Sequence, residues 1–334
     1  MAEQGTPEYV LYGGPISLFT RKLEAALRFY GAPFRNEMKT AENGAEIEAR
    51  AQTHQVPVLQ TPENWMIGDT TPLLTLLDSR FPTRRMFPEG PIGVLVHVVE
   101  EILDEWVARV MVHYRWHYEE NTQHVIGAIL GRAVSAEEAR EFPLARWGPR
   151  ACRATGTERP SQQQACEREY LALLAALERQ LSTTRYALGD RPTAADAMLL
   201  GGLRAHTNSD PVPDLSAFPR VLAWEEKHAD AWDGAGELAA FPESTPFAEQ
   251  VLQLGREQYA PFCVANAAAL QAGAKVCSAL TYGEEVSYLA RPYPEQSRRM
   301  LHAHINDRLT AGERAQVAAW LDAHGLADCF MPGV

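Results

Sequence analysis

The chain contains no Cys-x-x-Cys pair, no block of basic residues and no long apolar run. Each absence excludes something. Five cysteines stand apart at positions 152, 166, 263, 277 and 329. An odd count at wide spacing supports neither a disulfide framework nor a thiolate metal site, and leaves small buried thiols. Lys and Arg number 31 against 43 Asp and Glu, so the formal net charge is −12. That balance argues against nucleic acid and anionic membranes as partners. A membrane-crossing helix needs about 20 mostly apolar residues, and no stretch approaches that. The start, MAEQGTPEYVLYGG, lacks the basic-then-apolar order of a secretory signal, so the expected location is cytoplasmic. Apolar residues are plentiful: 46% of 334, enough for a sizeable core and two domains.

Periodicity organises the first 80 residues. EYVLYGG reads as a strand stopped by two glycines, and SLFTRKLEAALRFYG as an amphipathic helix with Leu23, Ala26, Leu27 and Tyr30 on one face. PFRNEMK makes a second strand, ENGAEIEARAQ a short helix, VPVLQTPENWMIGD two strands around a turn, and TPLLTLLDSRF a third helix. The order β-α-β-α-β-β-α predicts a small α/β layer fold with a mixed sheet. A segment rich in proline and glycine, 83–93, reads as a linker. Residues 94–239 then read as helices, among them a long pattern from Val94 to Glu120, another ending near Gly189, one opening on Thr193 and Asp196 as a capping pair, and one from Phe218 to Trp232. Residues 240–334 read as a further helical extension, too apolar for a disordered tail, packed on the helical block.

Several positions carry chemistry or only structure. Ser17 stands where the first loop meets its helix, as a cap or as a reacting group. Val56-Pro57 opens a strand, where a proline is tolerated. Asp69 and Thr70 stand at a strand-to-helix junction, which is an N-cap or a seat for a ligand carboxylate and ammonium. The run VHYRWHY puts His113 and His117 one helical turn apart, but no third ligand accompanies them, and no metal is expected. Tyr114, Arg115 and Trp116 in the same run are core or interface packing, or offer stacking and anion binding in an acceptor pocket.

SLFTRKLEAALRFYGAPF, VPVLQ, GDTTPLLTLLDSRFP and GDRPTAADAMLL occur in the order and spacing seen in the glutathione transferase superfamily. The chain resembles that family over residues 8 to about 230. The resemblance implies an N-terminal thioredoxin-like domain (1–82), the linker 83–93, an all-helical domain (94–239) with the acceptor-substrate site, and a C-terminal extension (240–334). It places Ser17 at the catalytic position and Thr20 where a second cysteine would stand. Thiol–disulfide exchange through a protein cysteine is therefore not expected there, because it needs a thiolate. What remains is thiol activation, with the Ser17 hydroxyl donating a hydrogen bond to the glutathione sulfur.

By the same resemblance Val56 would pair its main chain with the cysteinyl part of glutathione, held by Pro57 in a cis bond. Asp69 and Thr70 would take the γ-glutamyl end, where relatives usually carry Glu-Ser. His54, Gln55 and Lys39 would reach the glycine carboxylate. Tyr12 is a rival hydroxyl for Ser17, or a packed or substrate-facing aromatic. The expected protein is a homodimeric, detoxification-type transferase acting on glutathione and a small electrophile. Alternatives are a non-catalytic binding protein on the same fold, or a glutathione-dependent lyase, isomerase or dehalogenase.

Overall fold

A computed structural model describes residues 8–226 and 231–331. The signal-segment reading of residues 1–7, and the part of the last expected helix at 227–230, lie outside them. The first unit follows the expected order: β1 (Tyr9–Tyr12), α1 (Leu18–Tyr30), β2 (Phe34–Glu37), α2 (Gly44–Ala51), β3 (Val58–Gln60), β4 (Met66–Gly68) and α3 (Thr70–Arg80). The sheet order is β2-β1-β3-β4, with β1 parallel to β2 and antiparallel to β3, and β3 antiparallel to β4. All four residues of β1 are buried, as a strand covered on both faces requires.

The linker is pinned. The Asp78 carboxylate accepts from the amides of Met86 (2.6 Å) and Phe87 (3.0 Å), and the next helix, α4 (Pro91–Ile102), starts before the expected boundary. The long pattern from Val94 to Glu120 is not one helix. A π-helical turn, Leu103–Val107, separates α4 from α5 (Arg109–His117), and extended backbone at Tyr118 starts α6 (Glu119–Leu130). Then come α7 (Ala136–Glu141), α8 (Pro143–Ala154), α9 (Pro160–Gln180), α10 (Ala194–Gly202) running into a π turn at Leu203–Thr207, and α11 (Pro219–Glu226). The expected capping pair opens α10: Asp196 Oδ2 accepts from the Thr193 amide at 2.8 Å and its hydroxyl at 3.0 Å.

Helix α10 crosses α1 closely. A Cβ on Gly201 would lie 2.7 Å from the Lys22 nitrogen and 2.8 Å from the Leu18 oxygen, so only glycine lets these backbones meet. This crossing couples the helical part of the chain to the helix that Ser17 begins.

The extension contains α12 (Pro246–Leu254), α13 (Ala260–Gln271), α14 (Pro292–Arg308), α15 (Ala311–Ala323) and α16 (Ala327–Phe330). It is not wholly helical. A hairpin, β5 (Val276–Thr281) with β6 (Glu284–Leu289), stands between α13 and α14. Its two-residue turn has Tyr282 at φ 53° and Gly283 at φ 79°, the positive values that match strand twist. In β5 the residues Cys277, Ala279 and Thr281 are buried and alternate with exposed Val276, Ser278 and Leu280. The extension grips α4, the π turn after it and α9 through polar ties. Tyr259 donates to Glu101 at 2.6 Å, Ser297 donates to the same carboxylate, Arg291 pairs with Glu105 at 3.0 Å, and Tyr282 donates to Glu169 at 2.5 Å.

Candidate functional site

Register brings the candidate residues together. Tyr12 pairs with Glu37, with Val58, and through Val58 with Gly68, so four strand ends form one row across the sheet. The segments leaving that row are the Gly13–Ser17 loop, the stretch after Glu37 that holds Lys39, the segment 54–57 and the Asp69-Thr70 junction. Residues as far apart in sequence as Ser17 and Asp69 therefore share one end of the sheet.

Ser17 is the N-cap of α1. It is half-buried, with extended backbone, and its Oγ accepts from the Thr20 amide at 3.4 Å. The oxygen is the acceptor in that long bond, so the hydroxyl proton is left to donate elsewhere. The Thr20 side chain is buried against Gly13, whose Cβ would meet it at 2.2 Å. Loop carbonyls are tied by neighbours: the Ser17 amide donates to Gly14 at 3.0 Å, and Arg21 Nε to Pro15 at 3.2 Å. Exposed Met38 stands over Gly14 and is an edge of the site that the sequence did not single out.

The Val56-Pro57 bond is cis. Asp69 sits at φ 66°, a left-handed value uncommon outside glycine, and heads α3 without a side-chain capping bond. Its carboxyl is pushed up from the ordinary range by burial and by the charge of Asp104, against the pull of Lys22. Thr70 beside it is buried. Lys22, Glu100 and Asp104 form a buried ionic cluster behind this junction, with Thr71 Oγ1 donating to Glu100 at 3.3 Å. The sequence did carry a signal for it: Lys22 lies on the apolar face of α1, four residues after Leu18, where a charge needs a buried partner.

Other expected site residues are engaged elsewhere. Lys39 donates to the His54 carbonyl at 2.6 Å and pairs with Glu48 at 2.7 Å, which braces the segment before Pro57, while His54 and Gln55 are exposed. Tyr12 is buried beside Val10, Ile47 and Val58, and its hydroxyl donates to Gln60 at 3.1 Å, so it is a packed aromatic and not a pocket wall. Tyr114 is buried among His113, Tyr118 and Tyr170. Arg115 is buried too, with its guanidinium held by Asp210 and by two carbonyls. Trp116 is half-buried against Gly148 and packs on the same small cluster as Ile16 of the loop that carries Ser17. His113 bonds Glu167 at 2.5 Å and His117 at 2.9 Å, a hydrogen-bonded chain within the helical layer.

Two family models match the chain: Glutathione S-transferase, N-terminal domain, over residues 11–85, and Glutathione S-transferase, C-terminal domain, over residues 160–227. No curated protein matches it in sequence. Among solved structures it is similar to a glutathione S-transferase from Rhodospirillum rubrum F11 (16% identity, 72% of this chain and 99% of that one, TM-score 0.47). It is also similar to a glutathione S-transferase from Methylobacterium radiotolerans in complex with glutathione sulfonate (17%, 71% and 99%, TM-score 0.44). A third is the β-etherase LigF from Sphingobium sp. strain SYK-6 (17%, 68% and 96%, TM-score 0.46). The assignment rests on the two domain models, which fall on the sheet unit and on the helical unit in the family's order. The chain belongs to the glutathione S-transferase superfamily and is a glutathione transferase-like enzyme.

Proposed function

We propose that the enzyme binds glutathione across the sheet end and activates its thiol through Ser17 for attack on an electrophilic, largely apolar substrate. The observation that carries this reading is the row of strand ends, from which the Ser17 loop, Val56-Pro57 and Asp69-Thr70 all leave on one side. A free thiol ionises near pH 8.5, so about 3% is thiolate at pH 7. A donor hydrogen bond and the positive end of α1 both favour the anion. Depression by about two pH units makes most bound glutathione anionic at neutral pH, at about 1.4 kcal/mol per unit. Ser17 keeps its proton throughout. It stabilises the thiolate, and the sulfur electron pair forms the new bond to carbon as the leaving group departs or a double bond accepts the charge.

In this arrangement the Val56 main chain pairs with the cysteinyl unit and Asp69 with Thr70 receives the γ-glutamyl ammonium and carboxylate. Gln55 and His54 receive the glycine carboxylate, with Lys39 bracing their segment. Domains at 1–82 and 94–239, a homodimeric assembly, a detoxification role and a cytoplasmic location belong to the same proposal. The acidic net charge and the family membership support it.

The test is thiolate absorbance of enzyme-bound glutathione against pH. Ser17→Ala is expected to move the titration up by one pH unit or more, on the order of 1.4 kcal/mol. An unmoved titration, with glutathione still bound by calorimetry, overturns the role of Ser17.

A further inference from the structure

Arg115 lies on α5, far from Ser17 in sequence, and is 5% exposed. Its Nε and Nη2 take both oxygens of Asp210, at 3.2 and 3.0 Å. Nη2 also donates to the Ala205 carbonyl at 2.6 Å, and Nη1 to the Ile16 carbonyl at 2.6 Å. Three of these four bonds fix the guanidinium to the helical layer: Ala205 is in the π turn after α10, and Asp210 follows that turn. The fourth reaches the residue immediately before Ser17.

The Gly13 amide ties the start of that loop to the Glu37 carbonyl of β2 at 2.9 Å, and the ties on its Gly14 and Pro15 carbonyls are local. Gly14 is held by the Ser17 amide and Pro15 by Arg21 of α1, so both partners move with the loop they hold. Arg115 is different because its anchor lies in the helical layer and its bond falls next to Ser17. The next residue on α5, Trp116, and the Ile16 side chain both pack against one cluster, Val125, Ile126, Val134 and Ala139. Ile16 is thus held at its carbonyl by Arg115, while its side chain shares a cluster with the next residue of that helix.

We infer that Arg115 is a positioning residue for the reaction: from the helical layer it fixes the loop at the start of α1, and Ser17 with it. This rests on the reading of that loop as the place where the glutathione sulfur is held. A planar fork is needed, because an ammonium offers no bidentate contact to Asp210 while reaching two carbonyls on different elements. A hydrogen bond weakens steeply with poor alignment, and a displacement of about 1 Å far from the chemistry lowers rates by about 100-fold.

The experiment compares Arg115→Lys, Asp210→Asn and Ser17→Ala by thiolate absorbance of bound glutathione against pH, by kcat/KM, and by calorimetric affinity for glutathione. Arg115→Lys is expected to move the titration and the acid limb of kcat/KM up by about one pH unit, a tenfold loss of thiolate below it. Glutathione affinity should stay within about threefold. Asp210→Asn, which keeps the side-chain size, gives the same direction and serves if the lysine variant does not fold. Folded Arg115→Lys and Asp210→Asn proteins with an unmoved titration overturn the inference, since lost stability alone does not shift a pH profile. Ser17→Ala separates the two claims. If Ser17→Ala is silent and Arg115→Lys shifts the titration, the serine role falls and the positioning of the loop stands. If only Ser17→Ala shifts it, Arg115 is merely structural.

Discussion

Lys22 Nζ lies 2.5 Å from Glu100 Oε1, and neither side chain is exposed to solvent. Asp104, one turn further along, shares the same ammonium. Burial alone would lower the lysine pKa, but the two carboxylates overcome it and hold it above its ordinary value. Removing one member of such a group leaves charge without compensation, which costs about 3–5 kcal/mol. Lys22→Met should therefore lose stability on that scale in denaturant melts. Adding Glu100→Gln to Lys22→Met should recover part of it. A single variant within about 0.5 kcal/mol of the parent would mean that the cluster is solvated in solution.

Glu169 gives a pH dependence of known sign. Burial raises its carboxyl to about 7, with Arg109 and the Trp106 indole pulling the other way. The folded value lies above the unfolded one, so its contribution is full below about pH 4.5 and is lost as pH rises through about 7. Buried histidines such as His97, held down to about 3 by burial, act with the opposite sign below pH 6.5, so the parent curve mixes both. The difference between Glu169→Gln and the parent isolates one group. The variant should gain on the parent as pH rises, by up to about 3 kcal/mol across that window. Thermal melts at matched ionic strength measure it, and a flat difference contradicts the direction.

Ser17→Cys tests the same position by different chemistry. The thiol would sit half-buried at the N-terminus of α1, where the dipole lowers its pKa below about 8.5. Its thiolate should attack glutathione disulfide, forming a protein–glutathione disulfide and releasing one glutathione thiolate. Intact-mass measurement should show one added glutathione, reversed by reductant. The five native cysteines are all buried, so the parent should take up none.

Much of this molecule was legible in sequence because the signals were local. The α1 face, the two glycines after β1, and the Thr193 with Asp196 pair each predict geometry within a few residues, and each recurs in the structure. The hairpin at 276–289 was not legible. Each strand is six residues long, buries small residues as well as larger ones, and lies between two strongly helical stretches. The partners of Arg115 were not legible for a different reason. An arginine beside tyrosine and tryptophan looks available to an anion, and no local pattern reveals that Asp210 occupies it from 95 positions away. Tyr12 is similar: β1 fixes its alternation, but Gln60, on a neighbouring strand, decides where the hydroxyl points.

Neighbouring glycines on α10 make a controlled comparison. A Cβ at Gly201 would meet main-chain atoms of Leu18 and Lys22, which have nowhere to move without shifting the first turn of α1. A Cβ at Gly202 would meet only the end of Met111, at 2.7 Å from its methyl carbon, and that flexible side chain can turn aside. Gly201→Ala should therefore lose about 1–3 kcal/mol, and Gly202→Ala less than about 1 kcal/mol. Only the first should also raise the pH at which bound glutathione ionises, because Leu18 follows Ser17 directly. Equal losses in the two variants, with no change in that titration, would mean that the α1–α10 crossing does not set the height of the Ser17 loop.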